Sequence, residues 1–207
     1  MTYIFDFDGT LVDSMPIFAK TILRILDENN IKYPQNIVRT VTPLGYRGVA
    51  EYVKSLGFNK TTEEFLNLAE SYMLNEYKNN IPAKKYVKEK LIKLKSKGES
   101  INVLTASPHT LIDDCLKRLD LYDLFDNVWS SDDFGLKKSE PEIYTKAAEK
   151  LNKNIGECVF VDDNLGAVTA AKKAGMFTVG IFDESSEDDA PRMKKTADRY
   201  VFDFREI

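Results

Sequence analysis

Asp6 and Asp8 sit at the end of an apolar run, Tyr3-Ile4-Phe5-Asp6-Phe7-Asp8-Gly9-Thr10, and two carboxylates in that position demand a chemical reason. The pattern recurs downstream. Thr105 and Ser107 close Ile101-Asn102-Val103-Leu104-Thr105, Lys138 follows Val128-Trp129, and Asp162 and Asp163 close Cys158-Val159-Phe160-Val161. If these runs are strands of one parallel sheet, their polar ends gather along one edge, where open sheets of that kind bind ligands. Carboxylates clustered in this way cannot all ionise cheaply without a cation. Oxygen-only ligands indicate Mg²⁺, which takes one or two carboxylates, keeps several waters and accepts phosphate oxygens. The lysine then faces the other side of a bound phosphoryl group.

The surrounding pattern supplies the elements that must hold these groups. The first run lacks polar alternation, as expected of a central parallel strand covered on both faces. From Ser14 to about Asn29 the spacing of Ile17, Phe18, Thr21, Ile22, Ile25 and Leu26 turns helical, with Ser14 as cap and Pro16 in the first turn. A second helix is expected over Tyr46 to Leu56. A third starts at the capping-box pair Thr61 and Glu64 and carries Phe65, Leu68, Tyr72 and Met73 on one face. After Pro82 a helix with Val87, Leu91 and Leu94 precedes the second strand. Helices over about 110–119, from Ser139, Pro141 and Glu142, and over 165–174 then alternate with strands near 128–129, 158–161, 178–182 and 200–202. The acidic stretch from Asp183 to Asp189 reads as a solvated loop. The expected fold is α/β, a Rossmann-like parallel sheet core made of residues 1–14 and 82–207, interrupted by an inserted α-helical domain at 15–81.

Composition narrows the partners. Apolar residues make up 43%, charged residues 30%, and the formal net charge is −4 without a dense Lys/Arg run, which argues against nucleic acid. Cys115 and Cys158 have neither metal nor redox spacing, and suit a reducing compartment. No apolar stretch approaches the roughly 18 residues of a membrane span. A soluble, cytoplasmic protein with no membrane partner is expected.

The run Asp6-Phe7-Asp8-Gly9-Thr10-Leu11-Val12-Asp13-Ser14 resembles the first motif of the haloacid dehalogenase superfamily phosphatases, in the phosphoglycolate phosphatase and β-phosphoglucomutase-like branch. The remaining motifs follow in the family's order. The resemblance implies that Asp6 is a nucleophile forming an aspartyl phosphate. Asp8 would be the general acid and base, its backbone carbonyl also a Mg²⁺ ligand. It further implies direct metal ligation by Asp6 and Asp163, ligation through water by Asp162, a phosphoryl contact from Thr105, charge neutralisation by Lys138, and Thr10 orienting Asp8 beside the substrate. The helical domain becomes a cap over a small phosphorylated metabolite, in a monomer or weak homodimer.

Three departures qualify the match. Thr105-Ala106-Ser107 stands where Thr-Asn or Ser-Asn is usual and is closer to the Ser-Ala-Ser of sugar-phosphate mutases. Lys137-Lys138-Ser139-Glu140-Pro141 replaces Gly-Lys-Pro-x-Pro, with Pro141 fixing the register on Lys138. Ala167 stands where many relatives carry another Asp. Other residues keep two readings each. Ser107 contacts phosphate or caps a helix, His109 approaches the leaving group or lies in a solvated turn, and Arg47 binds an anionic substrate group or is an ordinary surface arginine. The expected activity is a Mg²⁺-dependent phosphatase. A β-phosphoglucomutase-like mutase is the alternative, although that branch tends to carry a histidine where Phe18 stands here. A receiver-like binding module is remote, because its acidic pair and phosphoacceptor come in the opposite order.

Overall fold

In chain order the strands are β1 (Thr2–Phe5), β2 (Ser100–Thr105), β3 (Asn127–Ser130), β4 (Cys158–Asp162), β5 (Phe177–Ile181) and β6 (Arg199–Val201). They form one sheet, all parallel, in the order β3-β2-β1-β4-β5-β6. The computed structural model describes residues 1–207 except the side chains of Pro43, Gly45 and Tyr46, so that part of the expected segment around Arg47 lies outside the described residues. Alternate strand residues enter different cores. Ile4, Leu104 and Phe160 pack with α7 (Pro141–Lys150) and α8 (Leu165–Ala174), while Phe5, Val103 and Val161 belong to the core on the other face. Both faces are therefore covered, which is why these strands read as unbroken apolar runs.

Strand order reverses at β1. The chain runs outward from β1 to β2 and β3, then returns through α7 to β4 on the opposite side of β1. Such a switch point opens a crevice beyond the carboxyl ends of the two central strands. Asp6 follows β1 and Asp162 ends β4, so both lie in that crevice.

Between β1 and β2 come α1 (Met15–Glu28), α2 (Ile37–Val41), α3 (Gly45–Ser55), α4 (Thr62–Asn79) and α5 (Val87–Ser96). Phe18, Ile22, Phe65 and Tyr77 from the inserted helices share one continuous core with Phe5 and Phe7. The Thr61–Glu64 capping box forms in both directions at the start of α4. Its buried face differs from the expected one: Phe65, Ala69, Met73 and Tyr77 are buried, whereas Leu68 and Tyr72 are half-buried. A strict step of four residues carries that face from α3 down to the sheet edge.

Two helices went unexpected, α2 and α9 (Ala190–Thr196), each too short for periodicity to mark. At α7 the N-cap is Glu140 rather than Ser139, and its carboxylate accepts the Lys137 N–H at 2.6 Å. α6 (His109–Arg118) begins at His109, so this residue stands on a helix and not in a turn.

Candidate active site

The Asp6 N–H donates to Val161 O at 2.9 Å, extending the β1–β4 pairing one residue and setting Asp6 beside Asp162 and Asp163. One carboxylate oxygen from each of these buried residues lies within 4.8 Å of the others. Lys138 Nζ bridges the group, paired with Asp6 Oδ1 and lying 2.6 Å from Asp162 Oδ2. Its backbone is fixed by the Tyr144 hydroxyl of α7, which donates to Lys138 O at 2.7 Å.

Charge in this pocket does not balance. Burial, and then the neighbouring Asp162, push the Asp6 carboxyl up to about 8 against the opposing pull of Lys138. Burial also holds Asp163 well above the usual carboxylate range, reinforced by Asp162 and Asp6. Burial alone would pull the Lys138 ammonium down, but Asp162 and Asp6 outweigh it and keep it raised and charged. Asp162 Oδ2 is close to that ammonium yet accepts no well-aligned hydrogen bond. A desolvated set of carboxylate oxygens short of positive charge fits a hard divalent cation.

The loop after Asp6 is built to admit Asp163. Phe7 O accepts from Leu11 and Val12 N–H at 2.8 and 3.0 Å, which folds the chain back at once. Gly9 has φ +77, and a Cβ there would stand 2.8 Å from both Asp163 oxygens. Only glycine allows both the left-handed backbone and that approach.

Thr10 corrects an expectation. Its hydroxyl donates to Asp163 Oδ1 at 3.0 Å and accepts from Asp163 N–H at 3.2 Å, and the residue is fully buried, so it orients Asp163 instead of Asp8. Asp8 is held by other hydroxyls. Ser14 Oγ donates to Oδ1 at 2.6 Å, Ser107 Oγ donates to Oδ2 at 2.5 Å, and the Tyr77 hydroxyl also donates to Oδ1. Ser14 thus makes no side-chain cap on α1, and Ser107 is engaged by Asp8 rather than capping α6. Each hydroxyl gives its proton to the Asp8 carboxylate, a charge-assisted bond, and accepts from no helix-terminal N–H. Thr105 is buried at the end of β2, and its Oγ1 accepts from Ser107 N–H at 3.1 Å, leaving its own proton to donate.

The structure brings Asp6, Asp8, Thr105, Ser107, Lys138, Asp162 and Asp163 to one sheet edge, while His109 opens α6 two residues beyond Ser107 and Arg47 stands on α3. The imidazole of His109 is tied at 3.0 Å to both Asp113 and Asp133, which raise its pKa. Arg47 is exposed and ion-paired with Glu63 at 3.0 Å. It does line a cleft of about 830 Å³ that runs between α3, α4 and the sheet edge as far as Lys138.

Sequence reasoning missed Tyr77, Lys84 and Asp183. Lys84 Nζ donates to Gly9 O at 2.7 Å and pairs with Asp183 at 2.6 Å, so Asp183 is 5% exposed and no part of a solvated loop. The available signal was that this acidic stretch follows a strand, since β5 ends at the same edge as β1 and β4.

Comparison with known proteins bears on this geometry. The sequence model of the haloacid dehalogenase-like hydrolases matches residues 3–181. The chain is 30% identical over 180 residues to a phosphoglycolate phosphatase of Aquifex aeolicus, covering 84% of this chain and 81% of that one. It is 28% identical over 174 residues to a phosphorylated carbohydrates phosphatase of Thermotoga maritima, with 84% and 81% covered. The crystal structure of a haloacid dehalogenase hydrolase, family IA, variant 3, from Entamoeba histolytica superposes with a TM-score of 0.85 at 20% identity, covering 100% of this chain and 94% of that one. Among the described residues, no helix is long and apolar enough to cross a membrane. With a family match over most of its length and phosphatases among its relatives, the chain belongs to the haloacid dehalogenase-like hydrolases and is a phosphatase of that family.

Proposed function

We propose that the protein hydrolyses a small phosphomonoester in two steps through an aspartyl phosphate on Asp6. The observation that carries this reading is the contrast between two aspartates two residues apart. Asp6 lies in the buried acidic pocket against Lys138, while Asp8 is held by neutral hydroxyls. A nucleophile needs its charge and no proton, whereas an acid and base must take a proton up and give it away.

In the first step an Asp6 oxygen bonds to phosphorus as the bond to the leaving oxygen breaks and Asp8 hands its proton to that oxygen. In the second, Asp8 takes a proton from water as the water oxygen bonds to phosphorus and the bond to Asp6 breaks. Lys138 holds positive charge beside the transferring group, and Thr105 donates to a phosphoryl oxygen. Asp6, Asp163 and the Asp8 carbonyl would hold Mg²⁺ directly, and Asp162 through water. When bound, the ion neutralises phosphoryl charge and aligns the group with Asp6.

In this reading residues 15–81 act as a cap on a core of 1–14 and 82–207, and the cleft beneath it takes the leaving group. Relatives acting on phosphoglycolate and on phosphorylated carbohydrates support a small metabolite as substrate. The two cysteines are buried and unpaired, in keeping with the cytoplasm. Phe18, 5% exposed, supplies no polar gate that would hold water off the aspartyl phosphate, which favours hydrolysis over return of the phosphoryl group.

The test is acid quench of the enzyme during turnover of a ³²P-labelled phosphomonoester, followed by borohydride reduction. Homoserine at position 6 is the expected product. Labelled protein from the Asp6→Asn variant, or wild-type turnover with no trapped label at any time point, would overturn the assignment.

A further inference from the structure

Three hydroxyls meet on the Asp8 carboxylate, and they come from separate parts of the chain. Ser14 and Ser107 belong to the loops that follow β1 and β2. Tyr77 arrives from the last turn of α4, and its hydroxyl shares Oδ1 with that of Ser14. The phenol is 1% exposed, and its ring centroid lies 6.1 Å from that of Phe7, the residue between the two aspartates. Its backbone is gripped as well. Arg118 of α6 donates to Tyr77 O from Nε at 3.3 Å and from Nη2 at 3.1 Å, and Nη2 also donates to Ile81 O. Those carbonyls lie at and just beyond the C-terminal turn of α4, where backbone acceptors lack helical partners.

A tyrosine fixed at both ends does more than fill core. A buried phenol needs one hydrogen-bond partner, and this one takes a carboxylate already served by two serines. Oδ1 receives two donors and Oδ2 one, which leaves the carboxyl group little freedom to rotate. A hydroxyl can also turn to accept, so the same anchor holds whether Asp8 carries a proton or not. A lysine in that place would favour the ionised form alone.

We propose that Tyr77 is the positioning residue for Asp8, holding its carboxyl group in the one orientation from which the proton reaches the leaving oxygen. This rests on the reading of Asp8 as general acid, and it adds that the inserted helices contribute to the chemical step through Tyr77 and not only to substrate selection. Geometry of this kind matters steeply, because small misplacements of a catalytic group cost large factors in rate.

The experiment compares two substrates in wild type, Tyr77→Phe and Asp8→Asn. p-Nitrophenyl phosphate has a leaving group that departs without protonation, while an alkyl phosphomonoester such as glycerol 1-phosphate needs the proton. The readout is the ratio of kcat/KM for the two, since kcat/KM reports the step in which the leaving group departs, and the ratio cancels any loss of folded enzyme. Tyr77→Phe is expected to lower kcat/KM about ten-fold or more on the alkyl ester and less than about three-fold on p-nitrophenyl phosphate. Equal losses on both, or no loss on either, would reduce Tyr77 to a packing residue and overturn the proposal. Asp8→Asn separates the two ideas. If it splits the substrates and Tyr77→Phe does not, only the role of Tyr77 fails; if Asp8→Asn itself shows no split, the general-acid reading fails and the proposal falls with it.

Discussion

Deprived of divalent cations, this protein should lose stability as pH rises from 5 to 8, the reverse of what an ordinary carboxylate contributes. Asp6 ionises at about 8 in the folded chain because burial and Asp162 oppose its charge, whereas its ordinary value is 3.8. Between those values the folded state holds a proton that the unfolded chain has released, so raising the pH favours unfolding. Each pH unit in that window costs about 1.4 kcal/mol for one such group. Over three units the loss approaches about 4 kcal/mol, and at roughly 3 °C per kcal/mol for a chain of this length Tm falls by about 10 °C. Asp163, raised by burial and by Asp162, adds to the fall. His109 acts in the same direction, because its raised pKa gives stability that is lost as pH climbs through it, but its exposure keeps the term small. The measurement is a thermal melt in EDTA at pH 5, 6, 7 and 8, repeated with Mg²⁺ and with Asp6→Asn. Mg²⁺ should raise Tm more at pH 8 than at pH 5, since binding the folded state must displace fewer protons there. Asp6→Asn should flatten the slope in EDTA and melt above wild type at pH 8. A Tm that is flat or rising in EDTA, or an unchanged slope in Asp6→Asn, would refute the account of the acidic pocket.

Activity should vanish in EDTA, return with Mg²⁺ and be inhibited by Ca²⁺, whose larger and looser shell disturbs in-line attack; full phosphate release in excess EDTA contradicts the metal assignment. Lys84→Met leaves Asp183 buried without its ammonium and should cost about 3 kcal/mol, visible as a lower urea midpoint, while adding Asp183→Asn should recover most of it. A double variant no more stable than Lys84→Met alone would show that the pair is not coupled. Given β-glucose 1-phosphate with a trace of the 1,6-bisphosphate, the enzyme should release phosphate rather than accumulate glucose 6-phosphate. Rapid glucose 6-phosphate formation with little phosphate would make it a mutase.

What could be read from the sequence was set by the backbone. Asp6, Thr105, Asp162 and Asp163 each end an apolar strand, and parallel topology brings strand ends to one edge whatever the side chains do. The Thr61–Glu64 cap was legible because it serves local hydrogen bonds. Contacts decided by tertiary approach were not legible. Ser14 looked like a helix cap because nothing local announced that its hydroxyl would turn to Asp8. Tyr77 lies beyond the residues read for that helix face, and 69 residues separate it from the carboxylate it touches. Asp183 fell in an acidic run whose other members are solvated, and only the crossing of Lys84 beneath Gly9 explains its burial. α2 and α9 are too short for any period to show.

In the proposed mechanism the same distinction lets one residue type take two roles within a single turn. Asp6 inherits its surroundings from the sheet: the end of β4 supplies two more carboxylates, the Lys138 loop supplies the ammonium that pairs with it, and burial makes every charge there felt. Asp8 lies past Phe7, where the chain has folded back through Phe7 O and Gly9, and its neighbours are hydroxyls from two loops and a helix. A cation fixed beside Asp8 would hold it ionised, and it could then give no proton to a leaving oxygen. Hydroxyls in place of Lys138 beside Asp6 would leave the developing phosphoryl charge unopposed in a dry pocket. Exchanging the two environments would therefore disable both steps, although every catalytic side chain were kept. In the proposed mechanism the chemistry thus depends on how Gly9 and Tyr77 give different surroundings to two aspartates that the sequence places two residues apart.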